Sequence, residues 1–427
     1  MNLVVIICLL MLVLLLLKVP VFVAIAVPTV LYFLFTPGIA TLTIAQRVIS
    51  GVESIPLLAV PFFVFSGIIM NYSGVTKRIM EFAEVLTGRM YGGLAQVNVL
   101  LSTLMGGLSG SNLADAAMEA KMLVPEMRKR GYSNEFSTVV TASSSLITPM
   151  IPPGIAMILY GSVANVSIGK LFVAGIGPGL IMCLSMMALV SVIARKRHYA
   201  RMRERHASPK EIWHVIKRAF FPLCLPVIII GGIRVGIFTP TEAGAISIIY
   251  ALILGLVYKE LSWDKLVLSI METIRTTASI MLIVGMASAF AWMLTRERIP
   301  QTITETIVRI ISNKYVFLLV VNLFLLFVGM LIEGGAATIV LAPLLAPAAA
   351  SFGIDPIQFG MVVIFNLAVG CITPPLGTVM FVTCQITGCK VNKFAKEAVP
   401  FFFLFLGILL LLTYVPFFST FLVNLIY

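Results

Sequence analysis

The stretch FSTVVTASSSLITPMIPPGIAMILYGSVANVSIG, Phe136–Gly169, runs 34 residues without an Asp, Glu, Lys or Arg, and prolines interrupt it near the middle. A helix needs about 20 apolar residues to cross about 30 Å of hydrocarbon, so this run is too long for one straight crossing. Proline removes a backbone donor and clashes with the preceding turn. The cluster Thr148-Pro149-Met150-Ile151-Pro152-Pro153-Gly154 therefore predicts two half-helices around a break. A second charge-free window of the same length, 356–389, holds Thr373-Pro374-Pro375-Leu376-Gly377 and predicts the same arrangement.

The rest of the chain agrees with a lipid environment. It has 427 residues, of which 60% are apolar and only 11% charged, and its formal net charge is +12. Soluble domains run near 45–50% apolar and about 25% charged, which excludes a water-soluble enzyme and a nucleic-acid-binding chain. Long apolar runs without alternation exclude a β-barrel and leave an all-α polytopic membrane protein. Charge-free windows mark the spans at 1–17, 19–46, 54–76, 90–114, 136–169, 171–194, 219–233, 243–258, 276–295, 315–332, 334–354, 356–389 and 398–427. No charge precedes the first run and Lys18 is followed by another, so the start reads as a span rather than a cleavable signal. Six cysteines lie scattered through apolar stretches and read as buried small hydrophobes. The three histidines, His198, His206 and His214, all fall in one basic segment, which leaves none inside the membrane for acid–base chemistry. No zinc, nucleophile–base or phosphate-loop motif is present, and the chain is not read as an enzyme.

The proline clusters repeat. At an offset of 222 residues Gly107 meets Gly329, Pro125 meets Pro347, Gly131 meets Gly353, Pro152-Pro153 meets Pro374-Pro375 and Pro178 meets Pro400. This punctuation indicates duplication of a whole folding unit. A first repeat, 1–194, would hold a hairpin near 90–127 and the broken helix 136–169. A second, 219–427, would hold a hairpin near 315–352 and the broken helix 356–389. Residues 195–218 join them and carry nine Lys/Arg against Glu204 and Glu211, which makes this connector cytoplasmic by the positive-inside rule. Amphipathic stretches at 77–90, 259–275 and 296–314 read as arms lying in the interface.

Matching Gly/Pro-interrupted segments in two halves point to the binding site of a secondary transporter. In Gly106-Gly107-Leu108-Ser109-Gly110-Ser111-Asn112, small polar residues stop an apolar run just before a strong helix former segment, which is the pattern of a re-entrant hairpin tip. Ser111 or Asn112 caps the following helix. Freed carbonyls and hydroxyls there suit a hard cation such as sodium, and the exposed helix N-terminus suits a carboxylate. The counterpart, Gly329 to Thr338, contains Glu333, Gly334 and Gly335, and Glu333 is the one charge between 315 and 354. An intramembrane acid is a functional candidate. Thr141, Ser143, Ser144, Ser145 and Thr148 supply oxygens near the first break, and Asn366, Gly370 and Thr373 near the second. Asp115 and Glu119 share a helix face at i, i+4 with Lys121 nearby, and read first as a polar edge facing the cytoplasm. Arg234 and Glu242 read as a structural ion pair.

The segment Gly231-Gly232-Ile233-Arg234-Val235-Gly236-Ile237-Phe238-Thr239-Pro240-Thr241-Glu242-Ala243-Gly244-Ala245 resembles a signature of the large membrane (M) subunit of TRAP transporters, the tripartite ATP-independent periplasmic transporters. The hairpin tip, the proline break and the repeat resemble the same family along essentially the whole chain, most closely its sialic-acid branch. The resemblance implies two inverted repeats, re-entrant hairpins and an elevator made of a scaffold and a transport domain in the bacterial inner membrane. It implies a small four-helix membrane subunit (Q), fused in front in some relatives, and a periplasmic substrate-binding protein (P). It implies Na+-coupled import of an acidic small molecule, here N-acetylneuraminate, with no organic cofactor. Carried over, Na+ ligands fall on Ser109, Gly110, Ser143, Ser144, Thr148, Gly334, Gly335, Asn366, Gly370 and Thr373. Substrate contacts fall on Ser111, Asn112, Ser145, Pro153 and Glu333, although the family pattern leads one to expect Asp at position 333. A C4-dicarboxylate member of the family and a self-sufficient Na+/dicarboxylate symporter remain the alternatives.

Overall fold

In hydrocarbon every backbone N–H and C=O must find its partner within the chain. A computed structural model, which describes residues 3–17, 19–203, 207–311 and 313–427, meets this demand with α-helices and no strand among the described residues. Lys18, Glu204 and His206 lie outside the described residues. The first half contains α1 (Leu3–Leu16), α2 (Val21–Phe35), α3 (Leu42–Val52), α4 (Ala59–Tyr72), α5 (Val75–Thr87), α6 (Gly93–Ser109), α7 (Asn112–Lys129), α8 (Asn134–Ser144), α9 (Ile155–Val163) and α10 (Ile168–Lys196). The second contains α11 (Pro209–Val235), α12 (Pro240–Val257), α13 (Trp263–Arg296), α14 (Ile299–Ile310), α15 (Lys314–Leu331), α16 (Gly334–Ser351), α17 (Pro356–Gly370), α18 (Thr378–Thr387), α19 (Val391–Tyr414) and α20 (Phe417–Ile426). Among the described residues, eight helices are long and apolar enough to cross a membrane unaided.

The 222-residue offset reappears in the helix boundaries. It carries the start of α7 onto that of α16, its end onto that of α16, and the start of α8 onto that of α17. Both long windows are broken where the prolines fall. The first passes from α8 through a 3-10 turn, Ser145–Met150, into α9 with a 45° bend. The second passes from α17 through residues 371–377 into α18. The Pro152–Pro153 and Pro374–Pro375 bonds are both cis.

Other windows are divided differently from their charge pattern. The run 19–46 holds α2, which stops before Thr36-Pro37-Gly38, where Gly38 has φ +77°. Residues 259–275 do not form a separate arm: most of the stretch is the first part of α13, a continuous 34-residue helix. Both ends of the connector are helical, because α10 continues to Lys196 and Ser208 caps α11 by accepting the Glu211 amide. Pro416 separates α20 from α19.

Two packing groups result. α2, α3 and α4 gather around α13, with α12 packed against α4, while α6 to α10 pack with α15 to α19. At the connector end, Arg197 pairs with Glu397 at 2.7 Å and Lys393 with Glu135 at 3.0 Å. Asn134 there donates its side-chain amide to the Thr387 carbonyl at 3.1 Å. Thus α8 begins, and α18 ends, at the same end of the molecule. The arm α5 lies at that end too, with Glu81 paired to Arg218 at 2.8 Å.

Glycine permits the closest approach between hairpin and break. A Cβ on Gly370 would lie 2.5 Å from the Gly329 Cα, and one on Gly106 would lie 2.9 Å from the Thr148 Cα. These obstacles are backbone atoms and cannot turn aside. Gly370→Ala is expected to force α15 away from the break and cost about 1–3 kcal/mol. Thermal unfolding in detergent measures this, with Gly231→Ala, which meets no atom within 4 Å, as the control that stays near wild type.

Candidate functional site

Each hairpin turns over inside the protein, and each tip solves the same problem differently. α6 ends at Gly110, whose φ of +64° favours glycine; a Cβ there would also lie 2.7 Å from the Pro153 carbonyl oxygen. Ser111 then adopts extended backbone and caps α7, its Oγ accepting the Ala114 amide at 3.4 Å. Asn112 Oδ1 accepts the Leu113 amide at 2.9 Å. The Gly110 carbonyl in turn accepts the Ile155 amide at 3.4 Å, joining tip to break. The second tip uses no left-handed residue. Ile332 and Glu333 are both extended, and Glu333 caps α16, its Oε2 accepting the Ala336 amide at 3.1 Å.

Both tips open onto one cavity of about 460 Å³. Ser111, Asn112, Glu333, Gly334 and Gly335 line it together, so the cavity unites residues more than 220 positions apart. Pro20, Val21 and Phe22 at the start of α2, with Thr276, Ser279, Ile280 and Ile283 of α13, form the facing wall. Leu159, Ile339 and Ile364 contribute apolar surface. Concave, largely apolar cavities with a few convergent polar groups are typical ligand sites. Ser145 and Pro153 lie behind the lining: Ser145 Oγ donates to the Ala142 carbonyl at 2.9 Å, and the Pro153 carbonyl abuts Gly110.

Beneath the first tip lies a buried polar cluster. Asp115 Oδ2 accepts the Ser109 hydroxyl at 2.7 Å and the Thr148 hydroxyl at 2.8 Å. One turn on, Glu119 Oε2 accepts the Ser102 hydroxyl at 2.7 Å. Asp115 Oδ1, Glu119 Oε1 and Ser143 Oγ are buried without a protein partner. Ser144 Oγ donates to Asn98 Oδ1 at 3.1 Å, while Asn98 Nδ2 donates to Thr141 Oγ1 at 2.6 Å. The second half has a related pair at the equivalent place: Asn366 Nδ2 donates to Asn322 Oδ1 at 2.8 Å, leaving Asn366 Oδ1 buried and free. Thr373 Oγ1 donates to the Val369 carbonyl at 2.8 Å.

Two readings are corrected. Asp115 and Glu119 do not form a polar edge toward the cytoplasm; they are 1% and 0% exposed, Asp115 tying hairpin to break and Glu119 tying α7 to α6, while Lys121 is exposed. Arg234 and Glu242 do not pair. Arg234 Nε donates to the Ile426 carbonyl at 3.3 Å, and Glu242 completes a capping box, its Oε2 accepting the Thr239 amide at 2.7 Å. The local Thr-Pro-Thr-Glu pattern favours that cap over a contact eight residues away. Sequence reasoning also missed Asn98 and Asn322, whose signal was a side-chain amide inside an apolar run, and Thr276 and Ser279, which only packing brings to the cavity.

Comparison with known proteins adds an independent line. Residues 8–418 match the family model for the tripartite ATP-independent periplasmic transporter, DctM component. The sialic acid TRAP transporter large permease of Vibrio cholerae is 40% identical over 381 residues, covering 89% of this chain and 88% of that protein. The C4-dicarboxylate TRAP transporter large permease of Pseudomonas aeruginosa is 35% identical over 384 residues, covering 90% and 89%. Among solved structures, the YdaH transporter of Alcanivorax borkumensis shares the fold with a TM-score of 0.58 at 15% identity, over 90% of this chain and 88% of that one.

Asp115→Ala removes the acceptor of two buried hydroxyls, one on the hairpin and one on the break. It is expected to cost about 2 kcal/mol, with Asp115→Asn, which keeps a side-chain oxygen, costing less. Equal melting temperatures for wild type and Asp115→Ala would remove Asp115 as the tie between these elements.

Proposed function

The chain belongs to the DctM family of TRAP transporter permeases, multi-pass proteins of the bacterial inner membrane, and from that premise we propose that it drives Na+-coupled import of an organic acid, N-acetylneuraminate. TRAP large permeases work with a small membrane subunit and a periplasmic substrate-binding protein. The observation that carries the proposal is the single cavity onto which both hairpin tips open. The similarity to the Vibrio cholerae sialic acid permease favours this substrate.

In this reading the acid's carboxylate rests against Ser111 and Asn112 at the N-terminus of α7, where the helix dipole favours negative charge. Sodium occupies oxygen-rich positions behind each tip. Ser109 and Thr148 donate their hydrogens to Asp115, which leaves oxygen lone pairs available to a hard cation. Gly110, Ser143, Ser144, Gly334, Gly335, Asn366, Gly370 and Thr373 supply the remaining oxygens by hydroxyl, amide or carbonyl. The unpartnered Ser143 Oγ and Asn366 Oδ1 fit that demand. Bound cation ties tip to break and offsets the charge of the acid, which would otherwise be costly near the membrane midplane.

Transport then follows from the two packing groups. α2, α3, α4, α12 and α13 act as scaffold, and the hairpins with their broken helices move past them as an elevator. The two halves are inverted repeats in this account. The opposite running of α8–α9 and α17–α18 relative to the connector supports that relation.

The test is uptake of labelled N-acetylneuraminate into proteoliposomes holding this chain and its small subunit. Uptake is expected to require both the binding protein and an inward Na+ gradient. Ser111→Ala and Asn112→Ala should each lower it by about 10-fold, the loss of one hydrogen bond to a charged group. Unchanged uptake in both variants would sink the site assignment. Uptake with sodium alone would make the protein a self-sufficient symporter.

A further inference from the structure

The connector carries more positive charge than nearby carboxylates neutralise, and the excess is not evenly placed. Arg197, Arg203 and Arg218 have carboxylate partners in Glu397, Glu211 and Glu81. Arg195 and Arg201 are exposed, and among the described residues neither has a carboxylate within ion-pair distance or a hydrogen-bond acceptor. Both instead lie over one ring, that of Tyr91 in the turn between α5 and α6, with guanidinium carbons 4.6 Å and 4.3 Å from its centroid. The face of the ring attracts each cation, but two cations gathered at one ring repel each other. The backbone holds them there: the Met202 and Arg203 amides both donate to the Gly88 carbonyl at 2.9 Å, which pins the connector against this turn. One turn before Arg195 an exposed apolar stripe begins. Val192, Ala188, Leu184 and Leu180 recur at four-residue spacing on one face of α10. That stripe is about 18 Å long, slightly more than one leaflet of a hydrocarbon core about 30 Å thick.

We propose that Arg195 and Arg201, gathered on Tyr91, bind the phosphate headgroup of an anionic phospholipid in the cytoplasmic leaflet, whose acyl chain lies along the stripe on α10. The Lys/Arg excess of the connector puts this end of the molecule at the cytoplasmic face, where anionic lipid attracts basic residues. Guanidinium forks match phosphate oxygens in a bidentate fashion. A phosphate beside both cations also relieves the repulsion that the ring alone leaves standing. A soluble phosphate would satisfy the charges but would leave the apolar stripe without an occupant, so the stripe assigns the phosphate to a lipid. The headgroup touches α10, the connector and the α5–α6 turn at once, and so ties the arm and the first hairpin to the segment that joins the two halves. This site is separate from the cavity between the hairpin tips and does not depend on which acid that cavity takes.

The experiment uses the purified complex of this chain and its small subunit, stripped of lipid in detergent. Thermal stabilisation is titrated with dioleoyl phosphatidylglycerol, with dioleoyl phosphatidylcholine and with inorganic phosphate. Wild type is expected to be stabilised by phosphatidylglycerol at the lowest concentration. The double variant Arg195→Gln/Arg201→Gln should need about 30-fold more phosphatidylglycerol, the loss of two basic contacts to an anionic lipid. Lys210→Gln/Lys217→Gln removes the same charge from the connector away from Tyr91 and should titrate like wild type, which separates a defined site from general attraction. Equal titration of wild type and the arginine variant would overturn the inference, as would an equal loss in the lysine variant. The three titrations of wild type test it without any variant. Stabilisation by inorganic phosphate at the same concentration as the lipid would show an ion site and overturn the lipid assignment, and equal response to the two lipids would overturn the role of charge.

Discussion

Two helices stop and reverse within the helical bundle, at tips that open onto one cavity. Each reversal strands amides and carbonyls, and every feature of the site answers that demand. Ser111 and Glu333 cap the departing helices, Gly110 gives its carbonyl to the broken helix, and the proline breaks bring further backbone oxygens to the same region. In the proposed function, the groups that remain unsatisfied after this pairing, such as Ser143 Oγ and Asn366 Oδ1, are the ones that hold ligands.

The polar cluster below the first tip follows the same logic at higher stakes. Two wholly buried carboxylates on one helix face would be costly if left bare, and hydroxyls from α6 and the break meet them. Because those hydroxyls come from α6 and from the break while the carboxylates lie on α7, the cluster holds the first hairpin in register with its break. The second half achieves register with an amide pair, Asn322 and Asn366, and with the glycine contact between Gly329 and Gly370. The halves thus share a plan while differing in chemistry, acidic in one and neutral in the other.

Much of the fold was legible because hydrocarbon imposes coarse rules. Charge-free windows located the crossings, and proline clusters located both breaks. The 222-residue repeat matched hairpin boundaries to the residue for α7 and α16. Legibility failed where the deciding partner is remote. Asp115 and Glu119 carry the pattern of a solvated helix face, and nothing local reveals that Ser102, Ser109 and Thr148 close over them. Arg234 and Glu242 suggested a pair, but a capping box within four residues outcompeted it. The arm expected at 259–275 merged into α13 because no helix-breaking residue separates it from the following span.

By itself, the sequence determined the solvent, the helical class, the duplicated plan and the positions of the tips and breaks, since each depends on local composition and backbone chemistry. It also supplied Ser111, Asn112 and Glu333 as polar groups too costly to face lipid without a purpose. Tertiary structure alone decided that the two tips share one cavity and that α13 forms its opposite wall. It alone placed Asp115 in the core. Those outcomes depend on contacts between segments that are separate in sequence, whose approach is set by packing and by glycine contacts that no local pattern encodes.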